Sequence, residues 1–291
     1  MTQPRPVDEL DPRRLSAEGV ERYLKRHGLA ARRSRSQNHL VDGQVIEDIV
    51  ALAEPAVTSQ ILEIGPGLGV LTGALLRAGS RVTAVEVDLR LAAHLRARYE
   101  PEIAAGTLRL VEADVLDTPL DDLASAPYDV VANLPYHITS PVLHYLLGDE
   151  PRPERFVLMV QREVAERIAA APGGMSYLSV FVQYHAAVRV AQIVPASAFE
   201  PAPDVQSAIL VGETKERRLP ADREEQLWRL VQAGFRERRK MLHNVLPRQL
   251  PQVGRERFDA ALSAVGIASD RRPQTVSVDD WMALSDAVGA F

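Results

Sequence analysis

Four consecutive residues, Asn133-Leu134-Pro135-Tyr136, set two acceptors beside a flat ring where the apolar run YDVVAN ends. Pro135 biases Leu134 away from helical geometry, which lets the Leu134 carbonyl point outward instead of into a helix. The Asn133 side-chain oxygen is the second acceptor. Tyr136 is a stacking platform, worth about 1–3 kcal/mol per base. An exocyclic amino group of adenine carries two hydrogens and a lone pair delocalised into its ring. Two acceptors holding those hydrogens draw the nitrogen toward tetrahedral geometry and localise the lone pair for attack. No general base is required, because the alkylated nitrogen loses its proton readily. Taken alone, the stretch reads more simply as a proline-bearing loop that caps a strand.

A second stretch changes that balance. LEIGPGLGVLT follows a strand pattern and opens a helical one. Gly65, Gly67 and Gly69 therefore permit a tight turn in which backbone meets a ligand near a helix N-terminus. Glu86 ends the next strand pattern about twenty residues on, where an acid can take both hydroxyls of a ribose. Asp114, in VEADVL after the third strand pattern, has two readings: a helix N-cap or a further ligand contact. The nicotinamide fingerprint places its third glycine one residue later than Gly69, which disfavours an oxidoreductase. Histidines such as His137 and His144 show no metal-ligand spacing, and no metal site is expected.

The elements that must position these groups follow from periodicity. Strand patterns fall at ILEI (61–64), RVTAVEV (81–87), LRLVEA (108–113), YDVVAN (128–133) and RFVLMV (155–160), with two more at YLSVFVQYH and VQSAILV. Amphipathic stretches such as VLTGALLRAG and LRLAAHLRARYE separate the first of them. Strand and helix alternating at this interval predict βαβ units and a largely parallel sheet with right-handed crossovers. After Val211 the texture turns charged, then helical through LWRLVQAGFRERRKMLHNVLPRQL and RERFDAALSAVGI. The expected organisation is a basic N-terminal arm or helix over 1–34, an α/β domain over 35–212 and a small all-helical domain over 213–291.

Composition narrows the setting. The 291 residues are 46% hydrophobic, enough for real cores, and contain no cysteine, which excludes disulfides and thiolate chemistry. No window is long and apolar enough to span a bilayer, and MTQPRPVDELDPRRL lacks the apolar core of a signal peptide. A soluble, cytoplasmic protein is expected, with no membrane partner and nothing that demands more than a monomer. The net charge of -5 does not announce nucleic acid. Two basic runs, RRLSAEGVERYLKRHGLAARRSRSQ and FRERRK, are solvated helix faces on the plain reading or a local nucleic-acid surface on the sharper one.

The order of these motifs carries a resemblance. Glu63-x-Gly65-x-Gly67-x-Gly69 resembles the first motif of S-adenosylmethionine-dependent methyltransferases, and Asn-Leu-Pro-Tyr resembles the fourth motif of ribosomal RNA adenine dimethyltransferases. SQNHLVD (36–42), FVLMVQREVAERI, VPASAFEPAPDVQSAIL and FRERRKMLHN resemble further motifs of that family, so the likeness covers about residues 35 to 285. The chain is similar to the bacterial small-subunit rRNA adenine N6,N6-dimethyltransferases, the kasugamycin-resistance methylase family. That resemblance implies a Rossmann-like sheet of seven mostly parallel strands with a small all-helical C-terminal domain. It implies S-adenosyl-L-methionine as cofactor, S-adenosyl-L-homocysteine as product, and the small ribosomal subunit with its 16S rRNA as partner.

Residue by residue, the resemblance implies cofactor contacts from Gln37, Asn38, Leu40, Glu63, Gly65, Gly67 and Asn133. Glu86 would take the ribose, and Asp114 with the Val115 N–H the adenine. Asn133, Leu134, Pro135 and Tyr136 would hold the target base, with Phe199 stacking on the face opposite Tyr136. Arg236, Arg238, Arg239 and Lys240 would bind RNA. Two positions depart from the family: His39 stands where phenylalanine is usual, and Ala196 replaces the second proline of Val-Pro-Pro. Two other readings stay open, an erythromycin-resistance methylase acting on the large subunit and a mainly RNA-binding assembly factor.

Overall fold

The computed structural model describes residues 10–29, 38–57 and 59–291. The chain divides into two compact units. One runs to Ala165 and takes in Arg189–Thr214; the other combines Glu166–Val188 with Lys215–Phe291. Among the described residues the strands are β1 (His39–Leu40), β2 (Gln60–Ile64), β3 (Arg81–Glu86), β4 (Leu108–Glu112), β5 (Asp129–Asn133), β6 (Arg155–Gln161), β7 (Ala186–Val194), β8 (Phe199–Glu200) and β9 (Ser207–Thr214).

Seven strands form one sheet in the order β4-β3-β2-β5-β6-β9-β7, and β1 pairs separately with β8. From β4 across to β6 the pairing is parallel, while β9 is antiparallel to β6. The expected seven-stranded, mostly parallel sheet is therefore present. Its central strands are buried on both faces, which is why they read as unbroken apolar runs. Val130, Val131 and Ala132 of β5 and every residue from Phe156 to Val160 of β6 are buried.

Helix Val70–Arg77 carries the chain from β2 to β3, and Leu89–Arg98 from β3 toward β4. The second starts at Asp88, whose Oδ1 accepts the Arg90 N–H at 3.0 Å, a side-chain cap on an orphan donor. The chain thus winds outward from β2 to β4, then returns to place β5 on the other side of β2. That reversal creates a crevice between the C-terminal ends of β2 and β5, the position at which open α/β sheets bind ligands.

One expected strand is a helix. YLSVFVQYH forms helix Tyr177–His185, and the strand is the following stretch, Ala186–Val194. Ser176 starts the helix with a reciprocal capping box: its Oγ accepts the Ser179 N–H at 3.2 Å, and Ser179 Oγ accepts the Ser176 N–H at 2.8 Å. Nearly every side chain of the helix is buried, so no polar face betrays the 3.6-residue period. A short, wholly apolar segment rich in valine and aromatics cannot be told from a buried strand by pattern alone.

The second unit is helical after β9, with helices Ala221–Phe235, Leu242–Gln249, Arg255–Ala264 and Val278–Val288. Trp281, Phe258, Leu230 and Leu246 are fully buried in its core, joined by Val180 and Tyr184 from Tyr177–His185. This unit therefore draws on residues 166–188, which lie inside the 35–212 boundaries read from the sequence. The last helix is fastened by a second capping box, Ser277 with Asp280.

Candidate active site

The ends of four adjacent parallel strands converge on one cavity of about 340 Å³. β2 delivers Glu63 and then Gly65 and Gly67; β3 ends in Glu86; Asp114 and Val115 follow β4; Asn133, Leu134, Pro135 and Tyr136 follow β5. The β1–β8 pair adds Asn38, His39, Leu40 and Phe199, with Leu40 in register with Phe199. Every proposed cavity residue except Gln37 therefore lines the same space; Gln37 lies outside the described residues. Gly69 does not line it, although the sequence pattern grouped it with Gly65 and Gly67.

Glu86 does more than wait for a ligand. Its Oε2 accepts the Gly67 N–H at 3.1 Å and its Oε1 accepts the Asp88 N–H at 2.8 Å. The acid thereby ties the glycine loop to the start of the next crossover. Burial raises its pKa, and the two backbone N–H bonds oppose that rise. Each carboxylate oxygen keeps a second lone pair, so bracing the loop and accepting from a diol are compatible. Gly67 has φ +59, a backbone conformation glycine adopts without a Cβ penalty.

Glu63 sits deeper, 1% exposed, with Oε2 accepting the Thr72 hydroxyl at 2.6 Å. Burial pushes its carboxyl up to about 8. Asp114 is exposed and its Oδ1 accepts the Leu116 N–H at 3.0 Å, so the N-cap reading is correct as far as that oxygen goes. The residue also lines the cavity, and the two readings coexist.

At the mouth, β5 and β6 remain paired one residue beyond Asn133, where the Leu134 N–H donates to the Met159 carbonyl at 3.1 Å. Pro135 then holds φ -56 and ψ 130 before the single 3-10 turn Tyr136–Ile138. The Asn133 side chain is half-buried and its strand is anchored on both sides, by β2 and β6. The Tyr136 hydroxyl lies 2.8 Å from Ser207 Oγ, and Ser207 is fully buried in β9. Sequence reading quoted Ser207 inside a motif without giving it this part, because the bond spans 71 positions.

The second unit holds the basic residues. Arg236, Arg238, Arg239 and Lys240 are exposed between helices Ala221–Phe235 and Leu242–Gln249. Lys240 lines an open groove of about 450 Å³ with Asn244, Pro247, Arg248 and Arg255. Arg248 pairs with Glu237, and Arg255 donates to the His243 carbonyl at 3.0 Å. Arg248 and Arg255 were not singled out from the sequence, since they stand apart from the FRERRK run and join it only through the fold.

A cavity of this build, at the reversal of a parallel sheet with an acid at the β3 end and an Asn-Leu-Pro-Tyr mouth, is that of an α/β methyltransferase using S-adenosylmethionine. The ribosomal RNA adenine dimethylase family matches residues 28–288, and the chain belongs to that family. It is 40% identical over 275 residues to the ribosomal RNA small subunit methyltransferase A of Opitutus terrae, covering 93% of this chain and 98% of that one. The protein of the same name from Anaeromyxobacter sp. strain K is 40% identical, covering 91% and 96%. Among solved structures, the 23S rRNA methyltransferase ErmE is similar at 28% identity with a TM-score of 0.70, covering 87% of this chain and 100% of that one. A dimethyladenosine transferase from Plasmodium falciparum gives 25% and 0.72, covering 84% and 95%.

The residues present fit the cofactor. Glu86 offers acceptors for ribose hydroxyls, Asp114 and the Val115 backbone stand together for an adenine edge, and the glycine loop lets backbone approach the remainder. Cavity-lining acids, with no lysine or arginine among them, suit a ligand that carries a sulfonium and an ammonium.

Proposed function

We propose that the protein transfers methyl groups to the N6 amino groups of two adjacent adenosines near the 3′ end of small-subunit (16S) rRNA. On this reading it acts in the cytoplasm, as a monomer, during small-subunit biogenesis. The observation that carries the reading is the convergence of the Asn133–Tyr136 mouth with Gly65, Glu86 and Asp114 on one cavity, in a chain whose close relatives bear small-subunit names. No helix among the described residues is long and apolar enough to cross a membrane.

When bound, S-adenosylmethionine supplies an electrophilic methyl group whose leaving group is the neutral thioether of S-adenosylhomocysteine. The chain's own residues present the nucleophile. Tyr136 stacks on the unpaired adenine, and Phe199 supports the opposite face. The Asn133 side-chain oxygen and the Leu134 carbonyl accept the two amino hydrogens and leave the nitrogen lone pair facing the cofactor side. Catalysis is mostly positioning, which can supply several kcal/mol by holding reacting atoms in line. Extruding each base costs a few kcal/mol, which stacking and the two acceptors offset. Mass spectrometry of nucleosides after reaction with unmodified small subunits should show two dimethyladenosines per subunit. Incorporation into large subunits instead would overturn the assignment.

Tyr136 owes its position to Ser207. Ser207→Ala removes one hydrogen bond, worth about 1 kcal/mol, or roughly fivefold. Turnover should fall by about that factor in steady-state assays, while calorimetric cofactor affinity stays unchanged.

Glu63 makes cofactor binding pH-dependent. With its carboxyl pushed up to about 8, it is mostly protonated at neutral pH, and a nearby cation favours the carboxylate. Binding of the cationic cofactor therefore lowers this pKa and releases a proton, so affinity rises as pH rises toward 8 and levels off above it. Calorimetry in buffers of different ionisation enthalpy counts that proton, and Glu63→Gln should flatten the profile.

Arg236, Arg238, Arg239 and Lys240 are proposed to neutralise RNA phosphates. Reversing any one of them should lower the slope of log affinity against log salt by about 0.7–0.9, read by filter binding across a salt series.

A further inference from the structure

The cavity wall contains one polar atom that the protein leaves without a partner. His39 opens β1, its backbone in register with Glu200 of β8. The side chain is 8% exposed and lines the cavity. Its ring faces the glycine loop: a Cβ built on Gly67 would stand 3.7 Å from Nδ1. Nε2 is shut off from solvent and has no hydrogen-bond partner among the described residues. Of the described residues that line the cavity, His39 is the one with a buried side-chain nitrogen or oxygen in that state.

A buried ring nitrogen without a partner weakens the fold, and an apolar ring of the same size would fill the space without that penalty. The orphan is accounted for if its partner arrives with the ligand. The chemistry of the wall says which ligand atom that is. Glu63, Glu86 and Asp114 are all acceptors in their ionised form, and no lysine or arginine lines the cavity. Acceptors serve the hydroxyls, the adenine amino group and the cationic centres of S-adenosylmethionine. Its carboxylate needs donors instead. Burial holds His39 in its neutral form, with its pKa lowered to about 4, and a neutral imidazole with its proton on Nε2 is a donor there.

We propose that His39 is a cofactor-binding residue, whose Nε2–H donates to the carboxylate at the amino-acid end of S-adenosylmethionine. This rests on the reading that the cavity holds that cofactor against the glycine loop. The contact makes His39 a determinant of specificity: it rewards ligands that keep the carboxylate and gives nothing to those that lack it.

The test pairs two proteins with two ligands. Calorimetric affinities are measured for S-adenosylmethionine and its decarboxylated analogue, with the wild-type protein and with His39→Phe. Loss of one charge-assisted hydrogen bond should weaken S-adenosylmethionine binding by about tenfold, with little change for the decarboxylated analogue. Equal losses for both ligands, or no loss for S-adenosylmethionine, overturn the proposal. Asp114→Ala serves as the reference for the cavity itself and should weaken both ligands alike. If it weakens neither, the ligand lies elsewhere and the underlying reading fails with the proposal. The wild-type protein gives a second readout free of any folding defect. The ¹⁵N resonance of His39 Nε2 should shift on saturation with S-adenosylhomocysteine, which keeps the carboxylate, and an unmoved resonance counts against the contact.

Discussion

Asn133→Ala is expected to lower methyl transfer by about 10²–10³-fold, the loss seen when one preorganised polar group is removed from a reacting centre, with cofactor affinity falling only a few-fold. The asymmetry follows from where Asn133 stands. It is the last residue of β5, held in register with Met159 of β6, and the Leu134 N–H on its C-terminal side is tied to Met159 as well. The backbone therefore keeps its path when the side chain is cut, and the Leu134 carbonyl and Tyr136 keep their positions. What disappears is one of two acceptors on the amino group. Glu86, which braces the glycine loop, belongs to β3 and Asp114 follows β4, so the cofactor side is untouched. Single-turnover methylation of unmodified small subunits measures the first quantity, and calorimetry with S-adenosylhomocysteine the second. Turnover within tenfold of wild type would refute the two-acceptor mechanism. Asn133→Asp retains an acceptor at the same place and should recover much of the loss.

Gly69→Ala is expected to destabilise the first unit by about 2–5 kcal/mol, the sum of left-handed backbone strain and overpacking. Gly69 caps helix Val70–Arg77 with φ 78 and ψ 17. A Cβ there would stand 2.6 Å from Leu95 Cδ2 and 2.7 Å from Tyr99 Cε2. Neither side chain can swing away: Leu95 is fully buried, and the Tyr99 hydroxyl donates to the Gly69 carbonyl itself at 2.5 Å. Against a typical domain stability of about 5–15 kcal/mol this is a large fraction. Scanning calorimetry should show the transition of the first unit moving down by roughly 5–15 °C. Gly106→Ala supplies the comparison. It has φ +71 but nothing within 4 Å of its Cβ position, so it should show the strain alone, about 1–2 kcal/mol. Equal shifts for the two variants would mean that packing against Leu95 and Tyr99 contributes nothing.

Gly69 also shows how a correct motif can be read for the wrong reason. The three glycines look alike in LEIGPGLG, each a licence for backbone to approach a ligand. Gly65 and Gly67 do line the cavity, whereas Gly69 faces away from it and makes room for Tyr99, thirty positions on. Nothing in the local pattern separates these uses, because the difference lies in what packs on the other side. Helix Tyr177–His185 makes the same point about secondary structure: burial from all sides removed the polar face that would have announced its period.

Much of the molecule was nonetheless determined by the sequence itself. The alternation of apolar runs with amphipathic ones, the glycine turn after β2, the acids at Glu86 and Asp114 and the proline after Leu134 are local signals, each acting through backbone torsion or side-chain period within a few residues. They sufficed for a parallel sheet, for a cavity at its C-terminal edge and for amino-group methyl transfer as the chemistry. The tertiary structure alone decided that Ser207 steadies Tyr136, that Arg248 and Arg255 join Lys240 in one groove, and that Nε2 of His39 is enclosed without a partner. Those are facts about burial and about contacts between distant positions. Burial and such contacts exist only once the sheet has closed and the helices have packed, so no periodicity in the chain encodes them one residue at a time.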